Sequence, residues 1–167
     1  TKSSAGYISW RTSEICQVRD SGDTHKFNTI HDAVLYIKNN MNRTGTIEMI
    51  VTNYDLESPI MLYSGMDVTI TTARTIETAA TVITRSASNL NMVDMSKDPD
   101  GQALSNATLT LDYIRLDGNA YNAETSQIDY QDGHAIYITG NNTLNFGLED
   151  SQAARPLVHN YASTGYG

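Results

Sequence analysis

Asp129, Asp132 and His134 are the residues of this chain best suited by type and spacing to catalysis. Two carboxylates beside a histidine are the ingredients of general acid–base chemistry, and a carboxylate pair is what glycosidic hydrolysis requires. The plainer reading is a solvated loop that enters a strand at Gly133-His134-Ala135-Ile136. Strand alternation would send His134 and Ala135 to opposite faces. A second candidate is Asp98-Pro99-Asp100-Gly101, which has the look of a calcium-loop fragment. A complete loop needs further oxygen ligands and a terminal carboxylate at fixed spacing, and the next acid, Asp112, lies too far along. Asp98 and Asp100 therefore read first as an exposed turn, with a calcium ion as the weaker alternative and no other cofactor expected. The third candidate is aromatic. Among ten tyrosines, Tyr113, Tyr121, Tyr130 and Tyr137 lie close in sequence. As ligand-binding residues they would stack sugars on exposed rings, although tyrosine is also a good strand former.

The remaining reactive types offer less. Cys16 is the single cysteine, so no intrachain disulfide forms. Arg19 is near it, but no histidine shares the stretch, and Cys16 reads as a small buried hydrophobe. His25 and His31 flank a helix start without metal-ligand partners and read as surface residues.

These residues need a scaffold, and the composition supplies one. The chain has 167 residues, 40% of them hydrophobic and 18% charged, which suits one ordinary domain with a real core. Its formal net charge is -8. An acidic surface repels phosphate backbones and anionic bilayers, so neither nucleic acid nor membrane is an expected partner. No stretch approaches the roughly 20 apolar residues of a membrane span. No basic segment followed by an apolar one opens the chain, which therefore reads as a mature fragment or an excised piece.

Along the chain, residues 15–18 read as a strand and the Gly22 region as a turn. Ile30, Ala33, Val34 and Ile37 then fall at i, i+3, i+4 and i+7, the spacing of one helical face. Asn28 or Thr29 is the expected N-cap, and Asp32 suits the first turn. Asn39-Asn40 and Gly45 end the helix. After residue 45 short apolar pairs alternate with polar residues: Ile47/Met49, Val68/Ile70, Leu109/Leu111, Ile114/Leu116, Ile136/Ile138 and Leu144/Phe146. Many short strands without a second helix exclude a doubly wound α/β sheet and leave a sandwich, a barrel or a solenoid. Near-repeats at residues 67–71, 107–111 and 142–146 favour the solenoid.

Several motifs carry a family resemblance. They are the capping unit from Val18 to Ile37, Gly45-Thr46-Ile47-Glu48-Met49-Ile50-Val51, Asp67-Val68-Thr69-Ile70-Thr71 with Val82-Ile83-Thr84-Arg85, residues 107–119, and Gly133-His134-Ala135-Ile136-Tyr137-Ile138. Together they resemble right-handed parallel β-helix domains of the pectin-lyase-like superfamily, in the version found on surface proteins of Gram-positive bacteria. The resemblance implies an all-β solenoid of about four to five rungs with an N-terminal capping α-helix. It implies one domain over residues 1–167, with strand and cap in 1–45, rungs in 46–148 and an irregular segment in 149–167. No comparable second cap is evident, so either the parent chain continues past Gly167 or residues 149–167 cover that end irregularly.

The resemblance also frames function. Polygalacturonases of this kind pair Asp residues with Gly-His-Gly and Arg-x-Lys. Here Ala135 follows His134, and no Arg-x-Lys comes after it. A polysaccharide lyase needs calcium and a basic residue, yet no Lys follows Lys97, and only Arg115 and Arg155 remain. The expectation is a non-enzymatic surface adhesin or stalk segment, extracellular or wall-attached, that binds a host or microbial surface glycan or protein. A polysaccharide lyase or glycoside hydrolase is the alternative, with Asp129, Asp132 and His134 as its residues. An ice-binding face would need regular threonine ladders. Thr69, Thr71, Thr108 and Thr110 hint at one, but with irregular spacing.

Overall fold

A computed structural model of the chain describes residues 13–73, 79–86, 89–122, 127–128, 133–147 and 157–159. In chain order the elements are β1 (Cys16–Asp20), β2 (Asp23–Phe27), α1 (Ile30–Asn40), β3 (Thr44–Met49), β4 (Asn53–Leu56), β5 (Asp67–Thr72), β6 (Thr81–Arg85) and β7 (Val93–Met95). They continue with β8 (Thr108–Asp112), β9 (Ile114–Asp117), β10 (Tyr121–Asn122), β11 (Gln127–Ile128), β12 (Ile136–Ile138), β13 (Thr143–Phe146) and β14 (Leu157–His159).

The first two strands form a hairpin. Ser21 and Gly22 both take positive φ, 51° and 97°, as a two-residue turn of the primed kind requires, and Asp20 faces Asp23 across it. The helix follows the apolar spacing in the sequence. Thr29 Oγ1 accepts from the Asp32 amide at 3.0 Å as N-cap, and Ile30, Ala33, Val34 and Ile37 form the buried face. Gly45 lets that face approach β3. A Cβ there would lie 3.1 Å from the Ile37 side chain.

A six-stranded sheet runs β13-β8-β5-β3-β1-β2, and a four-stranded sheet runs β14-β9-β6-β4. Two further pairs are β12-β7 and β10-β11. Pairing is parallel from β3 through β5 and β8 to β13, throughout the four-stranded sheet, and between β7 and β12. It is antiparallel for β1-β2, β1-β3 and β10-β11.

The all-β right-handed parallel β-helix with a capping helix, expected from the sequence, is corrected by this arrangement. The class is mixed α/β: parallel and antiparallel strands share the six-stranded sheet, and a helix is built into the core. The reason is physical. Alternation tells which face a residue takes, but not the direction of the neighbouring strand or the number of sheets. The Ser21-Gly22 turn alone commits the start of the largest sheet to antiparallel pairing. Within residues 149–167, expected to be irregular, Leu157–His159 pairs in parallel with β9.

The core is continuous. Ile47, Ile70 and Leu111 stand opposite one another on the inner face of the large sheet, as do Val68 and Leu109, and all five are fully buried. Ala33, Val34 and Ile37 of α1, also fully buried, belong to the same cluster. Each buried valine, leucine or isoleucine contributes roughly 1.5–3 kcal/mol by leaving water, and an alanine methyl about 0.8 kcal/mol. Val34→Asp places a carboxylate in this contact without a partner. We expect it to lower stability by roughly 3 kcal/mol or more. An unchanged melting temperature would show that the helix is not integral to the core.

Candidate functional site

The outer face of the large sheet bears the most ordered polar surface. Register aligns Thr46, Thr69, Thr110 and Asn145 in one row and Thr44, Asp67, Thr108 and Thr143 in the next. A third row holds Glu48, Thr71 and Asp112, where Thr71 Oγ1 donates to Asp112 Oδ2 at 3.2 Å. Side chains two apart on a strand share a face, so the inner apolar rows put these residues outside. The threonines whose sequence spacing looks irregular are thus regular in space, because the connecting segments absorb the difference.

At β1 the face becomes ionic. Arg19 Nε donates to Glu48 Oε2 at 3.0 Å, and Gln17 Nε2 donates to the same oxygen at 2.7 Å. A groove of about 380 Å³ lies here, lined by Arg19, Met41, Gly45, Thr46 and Glu48. These residues escaped sequence reasoning. Gln17 and Glu48 meet across 31 positions, and the only local sign was a polar residue at alternate positions of two strands. A second cleft, of about 330 Å³, involves Tyr54, Asp55 and Glu57 beside the start of α1. Burial first, then the charges around it, raises the Tyr54 phenol above its ordinary pKa.

Among the described residues, those singled out by sequence are scattered. Asp129, Tyr130 and Asp132 lie outside the described residues. His134 is half-buried. Its amide donates to Asn91 Oδ1 at 2.8 Å, and its ring stacks on Tyr137 at 5.1 Å between centroids. Tyr137 is on β12 and 41% exposed, near Ile138 in sequence, which is also exposed. Tyr113 sits at the corner between β8 and β9 with φ 54°, and its carbonyl accepts from Thr72 Oγ1 at 2.6 Å. Tyr121 belongs to β10. The described tyrosines of the expected platform therefore stand on three separate parts of the sheet system.

Asp98 and Asp100 do form a turn, closed by the Gly101 amide donating to the Asp98 carbonyl at 2.9 Å. Asp98 is buried, not exposed as a turn residue would suggest. Its Oδ1 accepts from the Asp100 and Gln102 amides at 3.0 and 2.8 Å. Asp100 Oδ2 lies 3.9 Å from Lys38 Nζ, which itself sits 3.4 Å from the Tyr63 ring centre. The Asp98 carboxylate thus organises the turn, while the Asp100 carboxylate stays largely exposed and faces Lys38. Among the described residues, no three His, Cys, Asp or Glu side chains gather as a metal site. Among them too, no helix is long and apolar enough to cross a membrane.

Compared with protein-family models, curated proteins and solved structures, the chain matches none.

Cys16 has no place in this chemistry. It is fully buried, and its Sγ donates to the Thr29 carbonyl at 3.6 Å. Burial, then the Asp32 charge, pushes the thiol up to about 12. Because the folded value lies above the unfolded one, the neutral thiol fits the fold below about pH 9. Stability is then lost progressively as pH rises from there to about 12. At pH 8 we expect Ellman's reagent to modify Cys16 only as fast as the protein unfolds, and rapidly in denaturant. Rapid modification of the native protein would place the thiol at the surface.

Proposed function

We propose that this chain is a non-enzymatic binding module of a cell-surface protein, an adhesin or stalk segment, and that the outer face of its six-stranded sheet holds a polysaccharide. The observation that carries this reading is the alignment of Thr46, Thr69 and Thr110 beside Thr108 and Thr143. Hydroxyl-bearing side chains so aligned repeat about every 4.8 Å across strands and about every 7 Å along them. Each β-branched side chain is confined in χ1, so little rotamer freedom is lost on binding. A repeating saccharide offers hydroxyl groups that donate and accept in the same way. Glu48, at the border, accepts hydrogen bonds from Gln17 and Arg19 and so serves as a fixed acceptor.

The same regularity favours a second reading, adsorption to ice. Asp67 interrupts one row, and a charged, strongly hydrated carboxylate suits a saccharide better than an ice lattice.

Binding of the purified protein to a panel of immobilised polysaccharides tests the proposal. Retention on at least one is expected. Thr69→Val and Thr110→Val, which keep shape and remove a hydroxyl, should each weaken it by about fivefold, the effect of one hydrogen bond of about 1 kcal/mol. Retention on none of the panel, or indifference to both substitutions, overturns this face as the site. Thermal hysteresis abolished by the same variants would favour ice. New reducing ends or unsaturated products, lost in Asp132→Asn and His134→Ala, would favour an enzyme.

A further inference from the structure

The groove at the β1 side of the hydroxyl face brings together three kinds of chemistry. The first is an oriented cation. Gln17 is only 4% exposed and holds Glu48 Oε2, which in turn holds Arg19 Nε. The Arg19 side chain is 59% exposed, and a lone exposed ion pair contributes little to stability. Its value here is orientation. Among the described residues Arg19 uses Nε alone, which leaves both terminal amino groups as a planar fork of donors. A carboxylate matches that fork with two parallel hydrogen bonds. The second kind is neutral and polar: the Thr46 hydroxyl and the other Glu48 oxygen can pair with sugar hydroxyls. The third is apolar. Met41 lines the groove, and a Cβ on Gly45 would lie 3.3 Å from its Cε, so the thioether packs closely on β3. A polarisable thioether accommodates a methyl group well.

We propose that this groove binds a sugar acid bearing both a carboxylate and an acetamido group, the carboxylate on the Arg19 fork and the acetamido methyl against Met41. This rests on the glycan-binding reading above and specifies which saccharide the site takes. With a formal net charge of -8, the long-range field of the protein opposes an anion, so selectivity comes from the short-range fork. A volume of about 380 Å³ is within the range of small-molecule sites.

Calorimetric titration with the α-methyl glycoside of N-acetylneuraminic acid and with N-acetylmuramic acid tests the proposal. The two acids share the recognised groups and separate a sialylated source from a cell-wall source. At least one is expected to bind, with its methyl ester about tenfold weaker. Arg19→Gln should reduce the acid to the affinity of the ester. Arg19→Lys should recover only part, because an ammonium lacks the planar fork. An analogue with a hydroxyl in place of the acetamido group should also bind more weakly, and Met41→Ala should erase that difference. The melting temperature of each variant confirms folding. Equal binding of acid and ester, an acid preference that survives Arg19→Gln, or equal binding of the hydroxyl analogue overturns the proposal. Failure of both acids to bind the unaltered protein does so too. In that case neutral polysaccharides retained on the panel leave the binding module standing, whereas retention of none removes both readings.

Discussion

Register between β3, β5 and β8 is the constraint on which both faces of the large sheet depend. Ile47, Ile70 and Leu111 must lie opposite one another to remain dry. A slip of one residue would turn that row to solvent and send Thr46, Thr69 and Thr110 into the core. The polar order outside is therefore held by the apolar order inside. The Arg19–Glu48 groove inherits the same precision, since Val18 pairs with Ile47 and sets the neighbouring polar residues beside it. Toward β13 the constraint weakens: Phe146 continues the inner row beside Leu111 but is 42% exposed.

The sheets meet through buried polar contacts that apolar packing cannot provide. Thr72 Oγ1 donates to the Tyr113 carbonyl and accepts from the Thr81 amide, while Thr81 Oγ1 donates to the Val51 carbonyl. One short network thus joins the end of β5, the start of β6 and the corner between β8 and β9. Asn142 acts similarly before β13. Its Oδ1 accepts from the Ala107 amide, and its Nδ2 reaches the carbonyls of Met95, Leu104 and Thr139. Thr72 and Thr81 are buried, so their polar groups must be satisfied, which makes that junction specific as well as stable.

What the sequence made legible is what neighbouring residues decide. The helix at Ile30–Asn40, its Thr29 cap and its buried face follow from a 3.6-residue period and one side-chain oxygen. The Gly22 turn and most short strands follow from equally local signals. Sheet membership and strand direction depend on encounters between distant segments, and the all-β expectation failed there. The candidate site shows the same limit in reverse. Asp98 and Asp100 drew attention through adjacency, yet the Asp98 carboxylate is turned into its own loop and only that of Asp100 faces outward, toward Lys38. Gln17, Arg19 and Glu48 look ordinary in one dimension and become a group only when β1 pairs with β3.

The strands that align Thr46, Thr69, Thr110 and Asn145 are joined by unequal stretches of chain. Closure entropy grows only slowly with loop length, so such connections can lengthen or shorten at small energetic cost. Descendants of this sequence can therefore diverge by insertion and deletion between strands while the hydroxyl lattice stays in place. For an engineer the same property makes the chain a display frame. A foreign peptide spliced between the exposed Glu57 and Ser58, in the stretch from β4 to β5, would start from the surface while Leu56 and Ile60 on either side stay in the core.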